Sequence, residues 1–299
     1  MKYYLFGGSM DPVIFKETLN HGFDGVMFTY DLEQSDIFTY LASQNNKNPK
    51  IKCLVAIRPY TISPQYLYMI NKSMHKIMPN TLQINFIQGY TKEYEKNFGG
   101  IVGEVNDLSN SIDKSNYLIN YLDVLNTMEK NEKNQYPLDF YVSTSNKYVI
   151  DAVQKYNNKI ILPYKKYKTK YWVREKKPTG QVVYKDPIDL KDTKVMLAIT
   201  PILRKKKEDF EDLPKDYVDR PLWREGERTN PVSDVVYFTY EEFGIFLDEL
   251  EKEGIEEVLM NAYPNREYAV IKHYLQNYAK KKTWTFFGLI DLLKLISKI

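Results

Sequence analysis

Cysteine and long apolar runs are scarce in this 299-residue chain. Its single cysteine, Cys53, excludes an internal disulfide framework and fits a reducing compartment. No run reaches the roughly 18 apolar residues that a transmembrane helix needs, so we expect no integral membrane segment. The N-terminal residues give only a short apolar stretch before Gly7 and Gly8, which does not match a secretory signal. These absences predict a cytoplasmic protein.

Histidine and net charge are also low. The 42 Lys and Arg residues nearly balance the 39 Asp and Glu residues, which argues against a nucleic-acid partner. The three histidines, His21, His75 and His273, all fall in helical patterns, so a histidine general base is not expected. No His, Asp or Glu cluster has metal-ligand spacing, and no metal site is predicted. The 26 tyrosines fit A/T-rich codon usage better than an aromatic binding surface.

What the chain does contain is an alternation of short apolar runs and longer amphipathic stretches. Alternation of this kind is typical of βαβ units with a parallel sheet. The eight predicted strands are Tyr3–Phe6, Gly25–Phe28, Ile51–Ile57, Leu82–Ile87, Leu138–Val142, Lys159–Leu162, Val195–Leu203 and Glu257–Met260. This number and a length near the usual size of about 250 residues predict an α/β protein with one (β/α)8 TIM-like barrel over residues 1–299. An open doubly wound sheet is the alternative, but no glycine-rich phosphate loop follows the first strand.

Three segments depart from the alternation. Residues 164–194 show no convincing sixth helix, and residues 208–234 are predicted to form a long loop after the seventh strand. Each follows a strand and so should lie at the C-terminal face of the barrel, as a lid or as a disordered excursion. Residues 284–298 are predicted to form an amphipathic helix. It fits a membrane-surface or dimer-docking helix, or a final helix packed on the barrel itself, which we favour.

Several motifs point to a known family. Ile51–Pro59, followed by Ser63 and Pro64, resembles the third strand and helix start of the bacterial luciferase-like flavin monooxygenases, nearest to their alkanesulfonate monooxygenase branch. Four further segments resemble family motifs in the same order: Gly22–Val26, Leu82–Gly89, Tyr136–Ser145 and Glu253–Pro264.

The resemblance implies a chemistry as well as a fold. Members of this family bind reduced FMN at the C-terminal ends of the barrel strands, and a separate flavin reductase delivers it. They activate O2 as a flavin peroxide to oxidise a small organic substrate. The resemblance also implies a dimer, either a homodimer or a heterodimer with a homologue. Coenzyme F420 is the alternative cofactor on the same barrel.

Six residues are candidate flavin ligands. Asn85 and Gln88, at the end of the fourth strand, could offer amide groups to the flavin ring or cap a loop. Ser143, Thr144 and Ser145 precede a predicted helix, where hydroxyl and backbone N–H groups suit a phosphate and also suit a plain N-cap. Tyr164 follows the sixth strand, where the family often has an aromatic residue that stacks on the flavin.

Two further residues are candidates for contact with the substrate. Arg58 ends a buried strand and needs a partner there. It is interpreted either as a ligand of an anionic substrate or flavin phosphate, or as an ion-pair partner of Asp31 or Asp36. Tyr30, at the end of the second strand, either contacts substrate at the same mouth or serves the loop.

The chain departs from the alkanesulfonate branch at residues that carry its chemistry. The Arg-x-His of the seventh strand is replaced by Ala198 and Thr200, and the loop cysteine by residues near Gln34 and Ser35. Alkanesulfonate is therefore not the expected substrate. Three functions stay open at this point: a two-component FMN monooxygenase, a catalytically silent flavin-binding or partner subunit, and a deazaflavin-dependent oxidoreductase.

Overall fold

The computed structural model describes most of the chain. The described residues are 1–8, 18, 22–30, 36–44, 51–88, 111–144, 146–156, 159–164, 167, 174–176, 182–184, 190, 193–211, 235–262 and 267–279. Of the segments discussed above, His21 with its helical pattern, most of the loop 208–234 and the whole of the helix 284–298 lie outside them.

Eight parallel strands close into a barrel. The barrel strands are β1 to β6, β9 and β11. All strands of the described residues, in chain order, are β1 (Lys2–Gly8), β2 (Gly25–Thr29), β3 (Lys52–Ile57), β4 (Leu82–Ile87), β5 (Phe140–Ser143), β6 (Lys159–Pro163), β7 (Arg174–Lys176), β8 (Val182–Tyr184), β9 (Lys194–Arg204), β10 (Val235–Thr239) and β11 (Glu257–Asn261). Strands β1 to β6 pair in sequence, β6 pairs with β9, β9 with β11, and β11 with β1. The predicted (β/α)8 barrel is confirmed.

Helices connect most of the barrel strands. They are α1 (Ile37–Gln44), α2 (Pro64–Ile77), α3 (Ser111–Asn131), α4 (Lys147–Val153), α5 (Tyr240–Lys252) and α6 (Glu267–Tyr274), the last continued by a π-helical turn over Leu275–Ala279. Their starts follow from local sequence. Ser63 accepts a hydrogen bond from the Tyr66 backbone N–H and Pro64 takes the first helical position, so α2 begins there. Thr239 and Glu242 form a reciprocal capping box that begins α5.

The sixth and seventh units are irregular, as expected, but they contain strands that the sequence analysis did not predict. Strands β7 and β8 pair antiparallel between β6 and β9. Strand β9 continues beyond the barrel, and its residues Thr200–Arg204 pair in parallel with β10. Strand β10 therefore adds a ninth strand to the sheet beside the C-terminal mouth.

Side chains of alternating residues separate into two hydrophobic layers. The outer layer lies between the strands and the helices. The inner cluster fills the barrel and consists of Tyr4, Met27, Leu54, Ala56, Tyr141, Ile161, Met196 and Leu259. Gly25 belongs to this inner packing, because a Cβ atom there would lie 2.5 Å from the Tyr4 ring. The period-2 alternation of each strand thus produces a packed barrel interior.

A polar network closes the N-terminal end of the barrel. The Tyr4 hydroxyl donates to Gln83 Oε1 at 3.1 Å, and Gln83 Nε2 donates to Asp139 Oδ2 at 2.8 Å. The Tyr141 hydroxyl donates to Glu257 Oε2 at 2.6 Å. Burial raises the pKa of both phenols, so they stay protonated donors. With this end filled, access to the barrel interior is from the C-terminal end.

Candidate active site

Among the described residues, the side chains on the inner wall at the C-terminal mouth of the barrel are largely apolar. Inward-facing residues deep in the barrel are buried, whereas Phe6, Ile87 and Ala198, which lie nearer its C-terminal end, are only partly buried. The small side chains of Ala56 and Ala198 lie next to strands that carry polar residues. An apolar cleft with a few polar groups is the usual form of a cofactor or substrate site.

Asn85 and Ser143 form the polar pair on the inner wall of this mouth. The Ser143 hydroxyl donates to Asn85 Oδ1 at 2.9 Å. The Asn85 amide nitrogen lies 3.4 Å from the Met27 sulfur, which is a weak acceptor. Asn85 is only 1% exposed, so its amide is fixed by packing and by this pair.

A second polar group forms the rim between the barrel and the helices. Gln88 Nε2 donates to the Ser115 hydroxyl at 2.7 Å, and Asn146 Nδ2 lies 3.5 Å from the same hydroxyl. The Thr144 hydroxyl accepts a hydrogen bond from the Asn146 backbone N–H at 3.0 Å. Gln88 follows Asn85 by three residues, so the alternation of β4 places its side chain on the opposite side, towards α3. The predicted ligands therefore divide into an inner pair and this rim.

Capping of α4 differs in detail from the sequence expectation. Asn146 is its N-cap, with its side chain accepting from the Tyr148 backbone N–H. Thr144 supports that cap from two residues upstream. Ser145 lies outside the described residues, so the predicted trio of hydroxyls is seen at Ser143 and Thr144.

Arg58 lies at the mouth, at the end of β3. Its backbone is extended, with φ −88° and ψ 121°, so the side chain continues the strand alternation on the inner side with Ala56. The residue is 9% exposed. Asp36, one of its two predicted partners, accepts hydrogen bonds from the backbone N–H groups of Phe38 and Thr39 and thus caps α1. Asp31, the other, lies outside the described residues.

Tyr30 and Tyr164 are not brought into either polar group. The Tyr30 ring packs against Phe38 of α1, with ring centroids 5.9 Å apart. The Tyr164 ring packs edge-on against Phe246 of α5 at 5.3 Å. Both belong to the outer layer, and burial raises the pKa of both phenols. The stacking role of Tyr164 and the substrate contact of Tyr30 stay predictions.

Ser115 and Asn146 are polar residues of the mouth that sequence reasoning missed. Both are joined to predicted ligands by the contacts given above. Asn146 had a usable signal, since it directly follows Ser143, Thr144 and Ser145 and precedes a helical pattern. Ser115 had none, because only the packing of α3 against β4 brings a residue 27 positions from Gln88 to its amide.

The chemistry of the mouth fits an amphipathic planar ligand. It offers an apolar inner wall, fixed amide donors and acceptors, hydroxyl groups at the rim and one arginine. No group of three or more His, Cys, Asp or Glu side chains among the described residues could hold a metal ion. In the same part of the chain, no helix is both long enough and apolar enough to cross a membrane.

Comparison with known proteins finds similar structures but no similar sequences among family models and curated proteins. No family model matches the sequence, and no curated protein matches it. The fold is similar to a long-chain alkane monooxygenase, LadA (TM-score 0.61, 10% identity, covering 94% of this chain and 92% of that one). It is also similar to the coenzyme F420-dependent tetrahydromethanopterin reductase of Methanopyrus kandleri (TM-score 0.60, 10% identity, 92% and 97% covered). A third similar structure is the EDTA monooxygenase EmoA of Chelativorans sp. BNC1 (TM-score 0.58, 10% identity, 92% and 94% covered).

Proposed function

We propose that this protein is a reduced-FMN-dependent monooxygenase that acts on a small organic substrate and receives its flavin from a separate reductase. The observation that carries the proposal is the fixed Asn85–Ser143 pair on the inner wall of an otherwise apolar barrel mouth. The likeness of the fold to two monooxygenases supports the same class of reaction. The motifs around Arg58 and Asn85, which resemble the luciferase-like family, support it independently.

Each part of the mouth has a role in this proposal. Asn85 and Ser143 orient the flavin ring by hydrogen bonds at its polar edge, while Phe6, Ile87 and Ala198 exclude water from its faces. Thr144 and the neighbouring Ser145 bind the phosphate. Arg58 holds an anionic group of the flavin or of the substrate.

The flavin would supply the redox chemistry, including the reaction with O2. The protein therefore needs no histidine base at the mouth. Ala198 and Thr200 stand where the family has Arg-x-His, and this replacement fits a change of substrate. The protein itself has only to position the flavin and substrate and to exclude water, which does not require those two side chains. The resemblance to the luciferase-like family implies a dimer, so a homodimer, or a heterodimer with a homologue, is the proposed assembly.

An F420-dependent oxidoreductase is the second candidate function. The observation that favours it is the likeness of the fold to the M. kandleri reductase, which covers 97% of that chain. Deazaflavin and flavin rings have the same shape, so the Asn85–Ser143 pair suits both. A silent flavin-binding or partner subunit is the remaining alternative.

The test is an anaerobic titration of the purified protein with FMN and coenzyme F420, each in both redox states, followed by addition of O2. Saturable binding of reduced FMN and its oxygen-dependent oxidation by the complex would support the monooxygenase. Binding of F420 alone would select the second function. Binding of FMN with no change in its reaction with O2 would identify a silent flavin-binding subunit. No binding of either cofactor would refute both enzymatic functions and leave the role of a partner subunit.

A further inference from the structure

A groove on the outside of the barrel has no part in the function proposed above. Tyr164, Val236–Phe238 of β10, and Glu242, Ile245, Phe246 and Glu249 of α5 line it; we call it the outer groove. Its volume is about 480 Å³. Ile245 is 50% exposed and Tyr237 is 46% exposed, so the groove presents large apolar side chains to solvent. Apolar surface of this kind usually marks an interaction site.

Ring contacts and a helix cap hold the walls of the outer groove. The rings of Phe238 and Phe246 stack with centroids 4.9 Å apart, and Tyr164 packs edge-on against Phe246. The capping box of Thr239 and Glu242 fixes the start of α5. A ligand would therefore meet a preformed apolar surface.

Acidic residues border this apolar surface. Glu242 and Glu249 are seven residues apart on α5, which places them about 10 Å apart on one side of the helix. Ile245 and Phe246 lie between them. Lys207 lies 3.1 Å from Glu242, whereas Glu249 is exposed. The complementary ligand is an apolar segment that carries positive charge.

The C-terminal tail (residues 280–299) has this composition. It begins with Lys280, Lys281 and Lys282, ends with Lys294 and Lys298 among apolar residues, and contains one acidic residue, Asp291. At helical spacing Leu289, Leu293 and Ile296 share one side, and Asp291, Lys294 and Lys298 share the other.

The tail also begins beside the first turn of α5, on the side of that helix opposite the residues that line the outer groove. The last described residue is Ala279, and the ring of the preceding Tyr278 lies 4.7 Å, centroid to centroid, from Tyr240. Tyr240 is the first residue of α5, whose side chains form one wall of the groove. A 20-residue segment spans about 30 Å even when fully helical, whereas the 13 residues of α5 span about 20 Å. The tail is therefore long enough to run the length of this wall.

We propose that the outer groove is the docking site of the chain's own C-terminal tail, with the side of Leu289, Leu293 and Ile296 against Ile245 and Phe246. Lys280, Lys281 and Lys282, which precede the helical pattern of the tail, face the acidic first turn of α5, whereas Lys294 and Lys298 lie on the outer side of the docked helix. The docked tail covers β10 and α5 on the outside of the barrel, where the sixth unit supplies only the β7–β8 hairpin among the described residues.

Cysteine cross-linking in the full-length chain tests this docking without any flavin. Ile245→Cys is combined with Leu289→Cys, Leu293→Cys or Ile296→Cys, and in matched controls with Asp291→Cys, Lys294→Cys or Lys298→Cys. The native Cys53 does not interfere, because it is buried and burial raises the pKa of its thiol to about 12. Under mild oxidation we expect intramolecular disulfides to form at least about ten-fold faster from the apolar-side positions, since a disulfide requires Cβ atoms roughly 4 Å apart.

Other outcomes overturn the proposal. Equal rates from both sides, or no cross-link, would mean that the tail does not dock here. Disulfide-linked dimers in place of intramolecular products would assign the groove to the tail of a second copy. Hydrogen exchange provides a second readout: Ile245→Asp should accelerate exchange of residues 284–298 and leave α2 unchanged, and unchanged exchange of the tail would contradict docking. Neither readout depends on flavin binding, so this proposal can fail independently of the proposed function.

Discussion

The ion pair between Arg204 and Glu267 joins the projecting end of β9 to the start of α6. Arg204 Nη1 donates to Glu267 Oε2 at 3.0 Å and Nη2 to Oε1 at 2.9 Å, a bidentate arrangement. Glu267 is 1% exposed, whereas Arg204 keeps 17% of its side chain exposed and also donates to the Leu203 carbonyl. Such pairs are held by charge and geometry together.

Replacing Glu267 with Gln keeps the volume of the side chain and removes its charge. Breaking one partner of a buried pair costs about 3–5 kcal/mol, because the remaining charge stays desolvated. Since Arg204 keeps some exposure, we expect the lower end, about 3 kcal/mol of the free energy of unfolding. At about 2–4 °C per kcal/mol for a large domain, the melting temperature should fall by roughly 6–12 °C.

The assay is calorimetry or urea unfolding of three variants beside the native chain. Asp151→Asn breaks the exposed Lys147–Asp151 pair and should cost less than about 1 kcal/mol. The double variant Arg204→Met with Glu267→Leu should recover most of the loss, because an apolar replacement leaves no unpaired charge. The reasoning is refuted if Glu267→Gln is no more destabilising than Asp151→Asn.

Three further changes have defined outcomes. Gly25→Ala should destabilise the fold by about 1–3 kcal/mol, because its Cβ would lie 2.5 Å from the Tyr4 ring, and a Tyr4→Leu replacement should restore part of the urea midpoint. Burial and a hydrogen bond to the Asp123 carboxylate raise the pKa of Tyr156 from 10.0 to about 12. The protonated phenol therefore stabilises the folded state fully below pH 10, and this contribution is lost as the pH rises through 12. Between these pH values the urea midpoint of Tyr156→Phe should fall less steeply than that of the native chain. Thr144→Ala should weaken FMN binding more than riboflavin binding in fluorescence titrations, and equal weakening would mean that the phosphate is bound elsewhere.

The barrel was predictable because its signals are local. Most barrel strands are short apolar runs bounded by polar, glycine or proline residues, and Ser63-Pro64 marks the start of α2. Strand bounds deviate by one or two residues, as in β5, which was predicted over Leu138–Val142 and lies over Phe140–Ser143.

Strand β10 was missed although its five residues, Val235–Thr239, all favour strands. It lies directly before the cap of α5, and its only partner is the extended end of β9. Residues 235–239 can form a strand only if β9 extends far enough beyond the barrel to pair with them. The local sequence of residues 235–239 does not show how far β9 extends.

The candidate site was only partly predictable for a similar reason. Asn85 and Ser143 were both expected at the mouth, because the C-terminal ends of the parallel strands meet there, but Asn85 was assigned to the flavin ring and Ser143 to the phosphate. The hydrogen bond that joins them was not predicted. The outward placement of Tyr164 depends on its packing against Phe246, which lies 82 residues further along the chain. The position of Tyr164 directly after β6 predicted that it lies near the mouth. It did not predict whether its ring faces the barrel interior or the outer helices.

The most direct test of the proposed flavin site is the affinity of Asn85→Leu for reduced FMN, measured anaerobically beside the native chain and Thr127→Ala. Thr127 is a matched control because its hydroxyl bonds only locally on α3, to the Asp123 carbonyl at 2.9 Å. Loss of the fixed amide should weaken binding of reduced FMN about ten-fold, equivalent to about 1.4 kcal/mol. Thr127→Ala should bind as the native chain does. Unchanged affinity in a folded Asn85→Leu variant would contradict the assignment of the barrel mouth as the flavin site.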